Sequence, residues 1–311
     1  MSTMTDITAP GRAGRTPGSR VWWRRNAIWY AFVLPAFLLY ALFVLYPFLE
    51  SIRLSFTDWN GADRIKTFVG FDNYAALARD PEMWGALVNN LVMVTFGAPL
   101  AVLLGLIFAL LLHDKPAGHT IFRTVFFMPL VLAPLVVGFI WVWILASRYG
   151  LLANTLDAFG VDRTAPRGGW LGNPDFALYA IIAAWVWSNA GFYFVILNAG
   201  LQNVDDDLLA AARIDGARGA KRFWHVTLPQ IRPVLTVVLV LALAAAFKIF
   251  DLVYVMTGGG PANSTELLAT YIYDKAFLES SVGYGAALSC VLAAIILLIS
   301  LGVIWWRERG R

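Results

Sequence analysis

Ala211-Ala212-Arg213-Ile214-Asp215-Gly216-Ala217, running on through Phe223-Trp224 to Thr227-Leu228-Pro229-Gln230-Ile231-Arg232-Pro233, is a polar, charge-rich stretch between two long apolar segments. Just ahead of it, Asp205-Asp206-Asp207 supply an N-cap and first-turn acids for a helix over Leu208 to Arg213. Side-chain oxygens satisfy the free N–H groups at a helix start, and negative charge suits the positive end of the helix dipole. Gly216 then predicts a sharp turn. A second short helix is expected over roughly 217–225, ended by Leu228-Pro229 and Pro233, which aim the chain back into the next apolar segment. The product is an elbow with small residues on one face and Phe223 and Trp224 exposed at its tip. An uncovered apolar pair in a polar loop reads as a docking surface for another protein, or as an elbow that packs beneath its own bundle.

The flanking segments decide the class. The chain has 311 residues, 59% hydrophobic and 14% charged, with a mean hydropathy of +0.66; soluble domains carry about 25% charged residues. Six stretches reach the about 20 apolar residues that a bilayer-spanning helix needs: 27–49, 91–112, 124–146, 176–200, 234–256 and 283–306. Five of them contain no charge at all. Backbone polar groups in hydrocarbon must be paired within the segment, so these are helices; the alternating polarity of a membrane barrel is absent. The expected fold is therefore an all-α polytopic membrane protein: six transmembrane helices with the elbow between the fourth and fifth. The single cysteine, Cys290, rules out an internal disulfide, and His113, His119 and His225 form no ligand-spaced cluster, so no metal site is expected.

Lys and Arg placement sets orientation. The N-terminal tail, the loop near Lys115 and Arg123, the elbow and the C-terminal tail together hold fifteen; the alternate loops, with Arg53, Arg64, Lys66, Arg79, Arg148, Arg163, Arg167 and Lys275, hold eight. The richer set belongs in the cytoplasm, with both termini and the elbow. Residues 1–25, rich in Gly, Pro, Ser, Thr and Arg, read as a disordered tail. The first apolar run reaches Tyr46-Pro47 without a small-residue cleavage site, so it is expected to stay in the membrane.

The expected external loops are 50–83, ending on the helix-start signal Asp80-Pro81; 147–175, mostly turns (Gly150, Gly160, Pro166, Gly168, Gly169) with an amphipathic piece over 151–159; and 257–281. The last opens Thr257-Gly258-Gly259-Gly260-Pro261, which permits close approach to a ligand or partner, or is a plain helix exit. Pro35, Pro99, Pro129 and Pro134 are expected kinks, either hinges of a pore or static bends. Only the fifth span carries charge. Lys248, about 21 Å along it, and Asp251 are three apart, on one helix face and able to pair. A charge at that depth costs at least about 2.5 kcal/mol unless it faces protein or water. The two line a polar pathway, form a structural pair, or leave Lys248 snorkelling outward. Asn189, Tyr193 and Trp187 on the fourth span, with Ser188 and Asn198, offer hydrogen bonds and a stacking face suited to a sugar, or glue between helices.

The elbow resembles the cytoplasmic coupling motif (Glu-Ala-Ala, three residues, Gly, then Ile/Val-x-Leu-Pro) of permease subunits of binding-protein-dependent ABC importers. Ala211, Ala212, Asp215, Gly216, Ala217, Phe223, Leu228, Pro229 and Pro233 match it; Ala210 stands where the motif has Glu, and Asp205 where Pro is common. Phe250 to Pro261, Ser264-Thr265, Tyr271-Ile272-Tyr273, Phe68 to Tyr74, Phe122-Arg123, Pro129, Trp141 and Trp170-Leu171-Gly172-Asn173-Pro174 are similar to the sugar and glycerol-phosphate permeases. The resemblance covers the chain from about Tyr46 onward. It implies a permease domain over 26–306 with its coupling loop at 203–233 and a short cytoplasmic tail at 307–311. It also implies a second permease subunit, an extracytoplasmic solute-binding protein, and a cytoplasmic ATPase that uses ATP and Mg. No cofactor is expected in this chain, which has no Gly-x-x-x-x-Gly-Lys-Ser/Thr phosphate cradle. The implied place is the bacterial cytoplasmic membrane, in contact with lipid and with no nucleic acid. The implied cargo is an oligosaccharide or disaccharide, or alternatively glycerol phosphate or another small polar solute. An ion-coupled secondary transporter would show internal repeats and more intramembrane charge; a membrane enzyme would show paired catalytic carboxylates, a nucleophile elbow or a His/Asp metal set, and none of these appears in the spans.

Overall fold

The computed structural model describes residues 32–113, 116–160 and 169–309. The expected tail at 1–25, the first residues of the first span, Lys115, Arg163, Pro166, Arg167, Gly168 and Arg311 lie outside these residues. The chain divides into two units, Met1–Ser51 and Ile52–Arg311. Among its described residues the first unit is one helix, the start of α1 (Phe32–Leu54), whose apolar side chains, Phe32 and Phe43 among them, stand exposed.

The second unit begins with a two-residue antiparallel ladder, β1 (Thr57–Asp58) against β2 (Thr67–Phe68), and a short helix α2 (Asp72–Ala78). The rest is a helical bundle: α3 (Pro81–His113), α4 (His119–Val131), α5 (Pro134–Ile144), α6 (Leu151–Ala158), α7 (Pro174–Leu201), α8 (Asp206–Ile214), α9 (Gly219–Phe247), α10 (Asp251–Met256), α11 (Leu268–Tyr273) and α12 (Val282–Glu308). Among the described residues five helices (α1, α3, α7, α9 and α12) are long and apolar enough to cross a bilayer, and α4 with α5 makes a sixth when the bent pair is counted as one span. The protein is an all-α multi-pass membrane protein.

Its centre is the pairing of α3 with α7, which α9 also joins. Helices in lipid associate by close packing rather than by a hydrophobic gradient, and Gly105 shows how close. A Cβ there would lie 2.8 Å from the Phe194 backbone N and 3.0 Å from Ala190 O on α7. The fully buried Tyr193, Phe194 and Leu197 fill that seam.

Two expected spans are broken. The single helix foreseen over 124–146 is α4 and α5, bent by 101°. Pro134 opens α5 and has no N–H to give; the residue before a proline is pushed out of the helical region, and Ala133 is extended at φ −60°, ψ 138°. The helix foreseen over 234–256 begins earlier, at Gly219, and stops at Phe247; Lys248 and Phe250 leave helical geometry before α10 restarts at Asp251.

Conversely, Pro99, Pro229 and Pro233 interrupt nothing. Pro47, Pro99 and Pro229 each sit just after a π-helical turn: Ala41–Leu45, Met93–Gly97 and Phe223–Thr227. At the first and last of these the next N–H reaches back five residues, Tyr46 to Ala41 O and Leu228 to Phe223 O. The wider turn relieves the clash that a proline ring makes with the preceding turn's carbonyl. Leu228-Pro229 and Pro233 therefore lie within α9 rather than ending the elbow's second helix.

At the end of the bundle opposite the elbow, Asp80 caps α3 as its sequence signal predicts, accepting from Glu82 N at 2.9 Å. Its other carboxylate oxygen takes the Tyr271 hydroxyl at 2.5 Å and that of Tyr284. Burial opposes the charge on Asp80, but the tyrosine hydroxyls and the backbone N–H groups outweigh it and hold the carboxyl below its ordinary range. The triple-glycine segment is ordered. Asn89 donates to Asn263 O and Glu266 O (3.2 and 2.9 Å), and Asn90 accepts from Leu268 N at 2.7 Å. Glu266, only 6% exposed, lies against Gly259. Burial, with the Asp274 and Glu82 charges, pushes its carboxyl above the ordinary range against a hydrogen bond from Thr270.

Candidate functional site: the elbow and the mid-bundle cavity

The elbow is closed by its own backbone. Asp205 Oδ1 accepts from Asp207 N at 2.9 Å and starts α8. At its other end Gly216 takes φ +74°, a left-handed conformation that glycine adopts without strain. Gly216 N–H donates to Arg213 O at 3.2 Å and Ala217 N–H to Ala212 O at 2.8 Å, the paired bonds of a Schellman turn. Its usual apolar clasp is present too, because Ala212 and Ala217 are both buried. Asp205 N–H donates to Gln230 Oε1 at 3.1 Å, tying the start of α8 to α9.

Ala211, Asp215 and Gly216 stay exposed, while Leu228 and Pro229 are half-buried at the root of α9. The expected exposed pair is divided: Phe223 is half-buried and packs on the core, whereas Trp224, edge-on to it at 5.5 Å, is 62% exposed. Ile214, at 87%, is the most exposed apolar group of the elbow, with Leu208 also exposed. Sequence reading passed over it because it ends α8 beside charged residues.

The second feature is a cavity of about 250 Å³ where the two broken spans meet. The α4–α5 break contributes Pro129, Leu132 and Pro134; the α9–α10 break contributes Lys248, Phe250 and Asp251; α7 contributes Trp185, Ser188 and Asn189. Lys248 and Asp251 are both exposed. No salt bridge joins them among the described residues, because the helix that would have stacked them three apart ends between them. Asn189 Nδ2 donates to Trp185 O at 2.9 Å and to Ser188 Oγ at 3.1 Å, which steadies the polar wall.

Of the five pathway residues foreseen, Lys248, Asp251 and Asn189 come together here; Trp187 and Tyr193 do not. Tyr193 is buried in the α3–α7 seam. Trp187 lies two residues before Asn189, hence on a different helix face, edge-on to Trp141 at 6.1 Å. Trp185 and Ser188 share the face of Asn189 at helical spacing, a signal that identifies Trp185 from sequence once Asn189 is placed. Phe250 begins a chain of rings leading from the cavity through Tyr254 (5.2 Å) and Tyr273 (5.4 Å) to Phe277 (5.4 Å). Among the described residues no group of His, Cys, Asp and Glu is arranged to hold a metal ion.

Residues 101–307 match the family described as "Binding-protein-dependent transport system inner membrane component". The chain is 36% identical over 274 residues to the probable ABC transporter permease protein YurN of Bacillus subtilis, covering 88% of this chain and 93% of that one. It is 31% identical over 278 residues to the probable starch degradation products transport system permease protein AmyD of Thermoanaerobacterium thermosulfurigenes, covering 89% and 93%. Its fold is similar to a chain of a bacterial alginate ABC transporter solved in complex with an alginate pentasaccharide-bound periplasmic protein. There the TM-score is 0.77 at 23% identity, over 92% of this chain and 96% of that one.

Proposed function

The chain belongs to the inner-membrane-component family of binding-protein-dependent transport systems, as a permease subunit of an ABC importer, and from that premise we propose that it lines half of an oligosaccharide pathway. The observation that carries this reading is the mid-bundle cavity. Lys248, Asp251, Asn189 and Ser188 present charge and hydrogen-bonding groups beside Trp185 and Phe250, which is the mixture that a sugar's hydroxyls and apolar ring face require. The relative named for starch degradation products and the alginate transporter solved with an alginate pentasaccharide-bound periplasmic protein support a carbohydrate cargo.

Coupling runs through the elbow. A turn closed on its own backbone, with Ile214 and Trp224 uncovered beside it, is a rigid knob for a groove on a cytoplasmic ATPase, which binds ATP and Mg. Ala211, Asp215 and Gly216 line its exposed side, Ala212 and Ala217 close it from within, and Phe223 and Leu228 pack it on the bundle beside the half-buried Pro229. The fifteen-to-eight excess of Lys and Arg supports a cytoplasmic elbow and termini. A second permease subunit completes the pathway, and a solute-binding protein delivers cargo to the Asp80 end, as the periplasmic protein of the alginate system suggests. Proteoliposomes holding the permease pair and its ATPase test the cargo class. ATP hydrolysis is expected to rise with an oligosaccharide-loaded binding protein, and not with the same protein empty or loaded with glycerol phosphate. Stimulation by glycerol phosphate alone would replace the sugar reading.

A further inference from the structure

Away from both sites, a pocket of about 550 Å³ opens where α5 meets the turn that follows it. Its apolar wall is one stripe of that half-span: Phe139, Val142 and Trp143, at spacing i, i+3 and i+4. Phe139 and Trp143 are 65% and 54% exposed, so the stripe faces outward from the bundle. The stripe runs up to Ser147, Arg148 and Tyr149, all exposed. The opposite wall is the turn from Gly169 to Gly172, with Trp170 braced edge-on against Phe176 at 5.9 Å. The lining holds one cation and no acid. Among the described residues Arg148 makes no hydrogen bond or salt bridge.

We propose that this pocket seats a single anionic glycerophospholipid, its phosphate on Arg148 and its acyl chains along Phe139, Val142 and Trp143. An amphiphile is the occupant that satisfies both ends. A soluble sugar or anion would pair with Arg148 and leave the outer flank of a membrane-crossing helix bare. A neighbouring apolar helix would cover the stripe but bury an unpaired guanidinium, which is strongly unfavourable. Trp and Tyr at the level of the headgroups are in the place where amphipathic rings prefer to sit, and a planar guanidinium matches a phosphate's oxygens. The proposal depends on the membrane topology alone and is independent of which cargo is carried.

The test uses the assembled importer in nanodiscs, with phosphatidylglycerol or phosphatidylcholine carrying a photoactivatable group in one acyl chain. The phosphatidylglycerol probe is expected to label residues 139–149 saturably, and the phosphatidylcholine probe weakly. Arg148→Gln should cut phosphatidylglycerol labelling by about fivefold, the factor one basic residue is worth near an anionic surface. Arg148→Lys should restore most of it, and Arg79→Gln, an exposed cation away from the pocket, should change nothing. Equal labelling by both probes, or labelling indifferent to Arg148→Gln, would mean a non-selective aromatic belt and overturn the proposal. So would efficient cross-linking of a Trp143→Cys variant to the second permease chain, which would put protein where the lipid should be.

Discussion

The elbow and the mid-bundle cavity are both made by interrupting helices, and they differ in how the interruption is closed. At the elbow the bonds are local: Gly216 to Arg213, Ala217 to Ala212, and Asp205 to Asp207, all within one short stretch. In the cavity, two interruptions far apart in the chain, Ala133-Pro134 and Lys248-Ile249-Phe250, face each other, and among the described residues no salt bridge pairs Lys248 or Asp251. A break that satisfies itself is stiff, as the proposed coupling knob requires. A break that leaves polar groups open inside an apolar bundle must be met by water or cargo. Stiffness and receptivity are thus divided between two parts of one chain.

The comparison breaks most readily at Gly216. A built Cβ there meets no atom within 4 Å, so any cost is backbone strain at φ +74° and not a clash. Gly216→Val is expected to lose roughly 1–3 kcal/mol of local conformation, and with it about 5- to 150-fold in the coupling between ATP hydrolysis and loaded binding protein. Gly216→Asn, which tolerates the left-handed region, should stay near wild type. ATPase stimulation in proteoliposomes reads both; equal behaviour of the two variants would deny that the turn's rigidity matters.

Lys248→Ala sharpens the other half. The side chain is exposed and unpaired by Asp251, so assembly with the partner subunits should be unchanged. Transport per assembled complex should fall about tenfold or more, the worth of a hydrogen bond to a charged group. Failure to assemble, with normal transport in the fraction that does, would return Lys248 to a structural role.

The smallest effect belongs to Glu266, away from both breaks. Burial raises its carboxyl above the ordinary value, so its stabilising contribution is complete below that value and disappears as pH rises through the raised one. Glu266→Gln should flatten the thermal midpoint of the purified complex over that window, changing it by less than about 4 °C. A pH profile identical to wild type would show that Glu266 does not titrate there.

Legibility in the sequence followed the same division. The Asp205 and Asp80 caps, the Gly216 turn and the amphipathic α6 were readable because each depends on neighbours a few residues away. Prolines misled in one direction only. Pro134 sits at a true break, whereas Pro99 and Pro229 are absorbed by π turns that no local pattern announces. Lys248 and Asp251 read as able to pair, with pathway lining and snorkelling as alternatives, because a continuous helix would stack them, and Trp187 and Tyr193 read as pathway residues because sequence does not fix the direction of α7. The mixed environment of Phe223 and Trp224 escaped for the same reason.

Composition, span length and charge placement determined by themselves that this is an α-helical membrane protein with a polar elbow, since twenty apolar residues in lipid have few conformations to choose from. The tertiary structure alone decided which polar residues share a cavity. A side chain's neighbours across the bundle depend on where helices break and which faces they turn to one another, and those are settled by packing between segments far apart in the chain.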